Sequence, residues 1–215
     1  MSVIGSALPF FFASKAAVIV VPAIGASFQG GFYAGSISHT ANSVATHALI
    51  VAPAATGASN QQWKTSNTTT AGTTSTYDGA ANSANMNNAS HPAAEFCENL
   101  SIGGYTDWYL PARYELDIAY ENLKPNTNGN DILFGINPYS VPERTANRTS
   151  GAPARTTVTA FQTGNSEAFV ASYLWSSTEA SATSAWLVAF SNGNQADGSF
   201  KSNSSEIRAF RKVAV

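Results

Sequence analysis

Hydrophobic and polar positions repeat along this chain with two different periods. Ala93, Phe96, Cys97 and Leu100 fall at i, i+3, i+4 and i+7, the spacing of one helical face. Ser90 stands where an N-cap is expected, and Pro92 falls in the first turn, where its missing N–H costs nothing. Gly103-Gly104 stops this helix. Leu116, Ala119, Tyr120 and Leu123 repeat the spacing between Pro111 and Pro125, predicting a second amphipathic helix. The C-terminal third changes to period two. Trp186, Val188 and Phe190 share one face of a strand, and Ala185, Leu187 and Ala189 share the other. With both faces apolar, that strand is expected inside a sheet. Asn192-Gly193 then predicts a hairpin with an exposed tip. The return strand is expected within Gln195 to Lys201, with a bulge at Asp197-Gly198, and Ile207 to Val213 is expected as one closing strand.

Earlier in the chain, "SFQGGFYAGSI" alternates aromatic and small residues, and Ala48 to Ala52 form a compact β-run stopped by Pro53. Residues 56–90 and 125–172 are rich in Thr, Ser, Asn, Gly and Pro and read as irregular surface segments. From Val3 to Phe28 the only charge is Lys15. Pro9, Lys15, Pro22 and Gly25 break this stretch into runs shorter than the ~20 residues of a spanning helix. A secretory signal carries its basic residues before the apolar run, whereas Lys15 falls in the middle. An apolar arm over 1–27, packed against a neighbouring subunit or particle, is therefore expected ahead of one domain over 28–215. A signal or anchor is the alternative.

Only 11% of the 215 residues are charged, less than half of the roughly 25% usual in soluble domains. Ser, Thr and Asn make up roughly 30% instead. A net charge of -2 without a basic run argues against a nucleic-acid partner. Four Trp, eight Tyr and twelve Phe are too many for a disordered linker. The single cysteine, Cys97, excludes an internal disulfide and a CxxC metal site. Its place on the apolar stripe makes it a small core residue. His39, His47 and His91 lack metal-ligand spacing, so no metal or cofactor is expected.

The most reactive-looking stretch is "WSSTE", where Ser176, Ser177, Thr178 and Glu179 lie between Trp175 and Trp186. Triad chemistry needs a base within hydrogen-bond reach, and all three histidines lie in the first half, outside any recognisable motif. The hydroxyls are expected to satisfy backbone groups, and Glu179 to pair with Lys201, Arg208 or Arg211. Both tryptophans are expected in the core. Asp107 is expected to accept backbone N–H bonds or pair with Arg113. Glu115 falls in the first turn of the second helix, where the macrodipole favours a negative charge. Arg144, Arg148 and Arg155 are spaced along a loop and are expected to be solvated rather than gathered as an anionic-ligand clamp. No catalytic residue is expected, and the chain does not read as an enzyme.

"HPAAEFCENLSIGGYTDWYLPARYEL", then "WSSTE", "AWLVAFSNG", Lys201 and "RAFRK", resembles the ordered signature of the DUF1566 (Lcl-like) domains. The motif residues are Asp107, Trp108, Leu110, Pro111, Glu115, Trp175, Ser176, Ser177, Glu179, Trp186, Lys201 and Arg208. "GGFYAG" and "LIVAP" resemble the version found in bacteriophage tail proteins, and the resemblance runs from roughly Phe28 to Lys212. It implies an α+β, C-type-lectin-like fold, with two amphipathic helices flanking a twisted antiparallel sheet and long loops supplying the binding surface. It further implies a virion tail fibre or tail-tip protein, homotrimeric, held to other tail or baseplate proteins through residues 1–27. Its partner would be a host cell-surface receptor, a glycan. The alternatives are a structural tail or baseplate subunit and a secreted or bacterial surface lectin-like protein. Tyr109 stands where bacterial members often have Arg, and Leu174 where Tyr is frequent. The calcium signatures of sugar-binding C-type lectins are absent from the late strands, which removes the expectation of calcium-dependent binding of that kind. Ligand contacts are expected at Asn192, Asn194, Gln195 and Asp197, with Ser199 and Asn203 nearby, since amide side chains offer planar hydrogen bonds to sugars.

Overall fold

The structure is a computed structural model that describes residues 19–215. Residues 1–18, most of the expected arm, lie outside the described residues. The remainder of the arm packs on the domain. Gly25 N–H donates to Tyr33 O (2.8 Å) and Tyr33 N–H to Ala26 O (3.0 Å), while Ile24 packs against the larger core cluster.

The aromatic-and-small run forms β1 (Ser27–Phe28) and β2 (Gly31–Ile37), and the compact apolar run forms β3 (His47–Val51). After Pro53 come α1 (Ala54–Gly57) and β4 (Ala58–Gln62). Next are α2 (Gly79–Ala84), α3 (Pro92–Glu98), α4 (Arg113–Leu123) and β5 (Ser140–Val141). The last third holds β6 (Tyr173–Glu179), β7 (Ser184–Ala189), β8 (Gln195–Phe200), β9 (Ser204–Arg208) and β10 (Phe210–Ala214). One sheet runs β1-β2-β3-β10, with β5 on β2; the other runs β4-β9-β6-β7-β8. The architecture is mixed α+β, with two largely antiparallel sheets and few helices.

The helical stripes fall where their periodicity placed them. Leu116, Ala119, Tyr120 and Leu123 of α4 are fully buried and pack toward β2, β6 and β7. Ala93 and Cys97 of α3 enter the second core cluster with Trp63, Trp108 and Trp175. Burial pushes the Cys97 thiol far above its ordinary pKa, so it remains neutral. The α3 N-cap is His91, not Ser90, and makes no side-chain cap. Its ring bonds Asn88 and Thr70 instead.

β7 lies between β6 and β8 with both faces largely buried, as its two-sided pattern requires. The register with β8 steps from Ala185↔Ser199 to Leu187↔Ala196. The extra residue therefore falls at Asp197-Gly198, as expected.

Further expectations fail, and residues 125–172, expected to be irregular, hold β5. Residues 56–90 are not wholly irregular, because they contain β4 and α2. β4 is a polar edge strand with little apolar alternation to reveal it, and α2 is capped by Asp78, whose carboxylate accepts from Ala81 N–H (3.0 Å). The closing run is also two strands. Arg208 pairs with Ala58 in one sheet and Phe210 with Val51 in the other. Between them, Ala209 N–H donates to Gly57 O (2.8 Å) and its carbonyl accepts from Ala52 N–H (2.9 Å). The chain changes sheets at one small buried residue, which leaves no break in the hydrophobic pattern.

Candidate functional site

The turn between β7 and β8 sits in a corner. Gly193 has φ +76°, and a Cβ there would lie 2.5 Å from the Tyr120 ring, so glycine is required on both counts. Arg148 donates to Gly193 O (3.1 Å), and Asp131 N–H donates to Asn192 O (2.8 Å). Asn194 Nδ2 donates to Asp131 (2.6 Å), and Tyr173 Oη donates to Asn194 Oδ1 (2.9 Å). Gln195 is only 4% exposed. The expected exposed tip is therefore a packed corner, because the loop after α4 folds back over it. Asn192 and Asn194 are half-buried, while Asp197 and Asn203 are exposed and Ser199 is intermediate.

Beneath the corner lies a buried charge cluster. Asp117 is fully buried and receives both Arg144 and Arg148. It also accepts from Asn137 Nδ2 (2.9 Å) and Gln195 Nε2 (2.8 Å). Glu121 completes the cluster, 3.1 Å from Arg144 and 3.2 Å from Arg148. Burial and the neighbouring Arg148 charge lower Arg144 to about 9. Arg144 and Arg148 are thus not solvated, and the anion they clamp is internal. Arg155 alone of the three is exposed.

Beside this floor opens a cleft of about 300 Å³ between the start of α4, the 133–136 loop and Gln195. Arg113 is its central cation. Its guanidinium carbon lies 3.8 Å from the Trp186 ring centre and 5.3 Å from that of Tyr114. Its Nε donates to Gln195 Oε1, and its two terminal nitrogens have no protein partner among the described residues. Trp186 is half-buried and not core: one face of β7 is covered here by a single guanidinium. Leu133 (73% exposed) and Ile136 (51%) form an apolar rim. Tyr114 packs on Tyr139 at 5.7 Å and Tyr139 stacks on Tyr77 at 4.2 Å, extending the aromatic surface away from the cleft.

The motif residues mostly build the frame. Trp108, Leu110 and Trp175 are fully buried, and Pro111 is buried. Ser176 donates to Trp186 O (2.9 Å), Ser177 accepts from Asn82 Nδ2 (3.1 Å) and Thr178 donates to Ser75 O (2.8 Å). Of the cations expected for Glu179, Lys201 is the partner, at 2.7 Å. Arg208 serves Glu167 (2.8 Å) and Ala52 O (2.6 Å) instead. Asp107 pairs through both oxygens with Arg211 (2.7 and 2.8 Å), not with Arg113, which turns toward Trp186.

One further constellation has the order of nucleophile, base and orienting group. Thr70 Oγ1 lies 2.8 Å from His91 Nε2, and His91 Nδ1 lies 2.9 Å from Asn88 Oδ1. Burial, then Lys64 and Lys201, lower His91 to about 4. A base that acidic holds no proton-accepting advantage near neutral pH. Lys64 also donates to the Thr70 hydroxyl (2.9 Å). The group is a hydrogen-bonded polar core.

Glu115, at the third position of α4, reaches back to Ala112 N–H (2.8 Å) and across to Gly79 N–H (3.1 Å), while Tyr109 Oη donates to its other oxygen (2.8 Å). A Cβ at Gly79 would sit 2.4 Å from that carboxylate, so only glycine permits the approach. Burial outweighs these donors and pushes the Glu115 carboxyl up to about 7. The folded state then keeps its proton while the unfolded state, near 4.5, has lost it. Stability from this group is present below about 4.5 and is lost as pH rises through about 7. In urea unfolding followed over pH, this contribution should fall across that window by an amount on the order of 1–3 kcal/mol, against the opposite slope of His39 and His91, whose pKa values are each lowered to about 4. A Glu115→Gln variant should lack this slope, and an identical slope in the variant would refute the assignment.

Sequence reasoning named Gln195 and Trp186 but did not place Arg113, Tyr114 and the Leu133–Ile136 rim around one cleft. The available signal was Arg113-Tyr114 directly after Leu-Pro-Ala, at the start of a helix, where both side chains are half-buried. No curated protein matches this chain. The Lcl C-terminal domain family matches it over residues 55–211, from within α1 into β10. That span includes the Asp-Trp and Leu-Pro residues, the Glu179–Lys201 pair and every side chain of the cleft. The chain belongs to the Lcl C-terminal domain family, of the DUF1566 type.

Proposed function

We propose that this chain is a receptor-binding protein of a bacteriophage tail fibre or tail tip, attaching without covalent chemistry to a host-surface glycan through a C-type-lectin-like domain. The observation that carries the reading is the cleft at Arg113. A cation stacked on Trp186, with Tyr114, an apolar rim and the exposed Asn147 amide beside it, offers a sugar both stacking faces and planar hydrogen-bond donors. The C-type-lectin-like assignment is supported by α3 and α4 set against two largely antiparallel sheets, by β10 returning to pair with β3, and by long loops gathered at the cleft. The phage setting rests on the resemblance of "GGFYAG" and "LIVAP" to tail proteins. A homotrimer held to other tail proteins through residues 1–27 belongs to the same reading, and multivalency would raise weak contacts by about 10²–10⁴-fold.

Labelled protein should bind phage-susceptible cells, and an excess should block infection. Arg113→Ala should lower cell binding by about tenfold or more, the scale of a central interface residue, with an unchanged melting transition. Protein that binds no cells but copurifies with tails would replace this reading with a structural tail or baseplate subunit. Loss of roughly the first 20–30 residues from the mature protein would favour a secreted or bacterial surface protein instead.

A further inference from the structure

We propose that the Arg113 cleft selects a ligand carrying one carboxylate beside an apolar substituent, the chemistry of an N-acylated sugar acid. The inference rests on the glycan-binding reading above and specifies its ligand class.

Arg113 is held on several sides. Its backbone N–H donates to Thr178 Oγ1 (3.1 Å), its Nε donates to Gln195, and its plane lies on Trp186. Gln195 is fixed in turn by its bond to Asp117 (2.8 Å). The two terminal nitrogens, without protein partners among the described residues, form the fork that meets both oxygens of a carboxylate. A guanidinium already oriented by stacking loses little freedom when it binds.

The charge balance limits the ligand to one such group. Arg144 and Arg148 are taken up by Asp117 and Glu121. Asp197 is exposed on the neighbouring strand, and its charge acts on Arg113. A second anionic group would meet Asp197 and find no second free cation in the cleft lining. A polyanion is therefore a poor match. Leu133 and Ile136 expose apolar surface on the opposite rim, where an acyl methyl group would be desolvated. At about 300 Å³ the cleft is at the small end for ligand sites, suited to a terminal residue rather than a long run of a polymer.

The probes are N-acetylneuraminic acid, its methyl ester, N-acetylglucosamine and glucuronic acid. Trp63, Trp108 and Trp175 are fully buried, so ligand-dependent tryptophan fluorescence reports Trp186. N-acetylneuraminic acid should give a saturable change. The ester and N-acetylglucosamine should each bind about tenfold more weakly, through loss of the charge-assisted fork. Glucuronic acid, which lacks the acyl group, should fall between them. Arg113→Lys keeps the charge but loses the fork and the stacking, and should weaken the acid by about tenfold. Equal binding of acid and ester, no saturable response to the acid, or full affinity in Arg113→Lys would each overturn the proposal. Glucuronic acid binding as tightly as N-acetylneuraminic acid would overturn its apolar half. If the fluorescence results hold but the protein binds no cells, the cleft chemistry stands and the receptor-binding reading falls. If cells are bound equally by Arg113→Lys, the reverse follows.

Discussion

Asp117→Ala is expected to destabilise the domain by about 3–5 kcal/mol, the cost of breaking a buried ion pair from one side. Asp117 is the acceptor for four side chains: Arg144, Arg148, Asn137 and Gln195. Arg148 is only 6% exposed. Without the carboxylate, two guanidinium groups already lowered by burial face each other with only Glu121 to share. The damage should spread, because the same cluster anchors the loop after α4, the Gly193 corner and the Gln195 side chain that orients Arg113. Urea unfolding would show it as a lower midpoint with little change in slope. A loss below about 1 kcal/mol would mean that the arginines reach water at no cost, contrary to the burial described.

The second large effect concerns Glu179 and Lys201. Lys201 is fully buried and donates to Glu179 (2.7 Å), Thr68 O (3.0 Å) and Ala182 O (2.9 Å), above the Trp63 ring at 4.8 Å. Burial lowers the Lys201 pKa and the Glu179 charge opposes that shift. Either Lys201→Met or Glu179→Leu alone should cost about 3–5 kcal/mol, since each leaves the opposite charge buried. The double variant should cost at least about 2 kcal/mol less than the sum. It should not be neutral, because Glu179 also accepts from Thr70 N–H (3.0 Å) and Thr73 Oγ1 (3.0 Å). Strict additivity of the two single losses would sink the coupling.

Both effects centre on long-range contacts, and that separates what was legible in the chain from what was not. α3 and α4 were legible because helical burial repeats every three or four residues, within reach of a single window. The hairpin was legible because Asn-Gly specifies a turn locally, and the Asp197-Gly198 bulge because glycine marks it. The Glu179–Lys201 pair was legible only as one of three choices. β4 was illegible because a polar edge strand shows no apolar alternation, and the division at Ala209 because no glycine, proline or turn residue marks it between Ile207 and Val213.

The cleft divides the same way. Gln195 and Trp186 drew notice from their residue types, but their roles came out reversed. Gln195, expected at an exposed tip, is a buried bracket between Arg113 and Asp117; Trp186, expected in the core, is a half-buried platform. The arginines changed most. Spacing along a loop says nothing of which carboxylate a guanidinium will meet, and Asp117 lies 27 and 31 positions from Arg144 and Arg148. Asp107 finds Arg211 across 104 positions.

Periodicity, turn chemistry and motif order, all readable within short windows, were enough to set α3, α4, the hairpin and the family of this chain. Pairing of the buried charges, and with it a guanidinium whose two terminal nitrogens face a cleft, depended on the packed fold. Coulombic partners are chosen by distance in space and by shared exclusion from water, and neither is written in the order of residues.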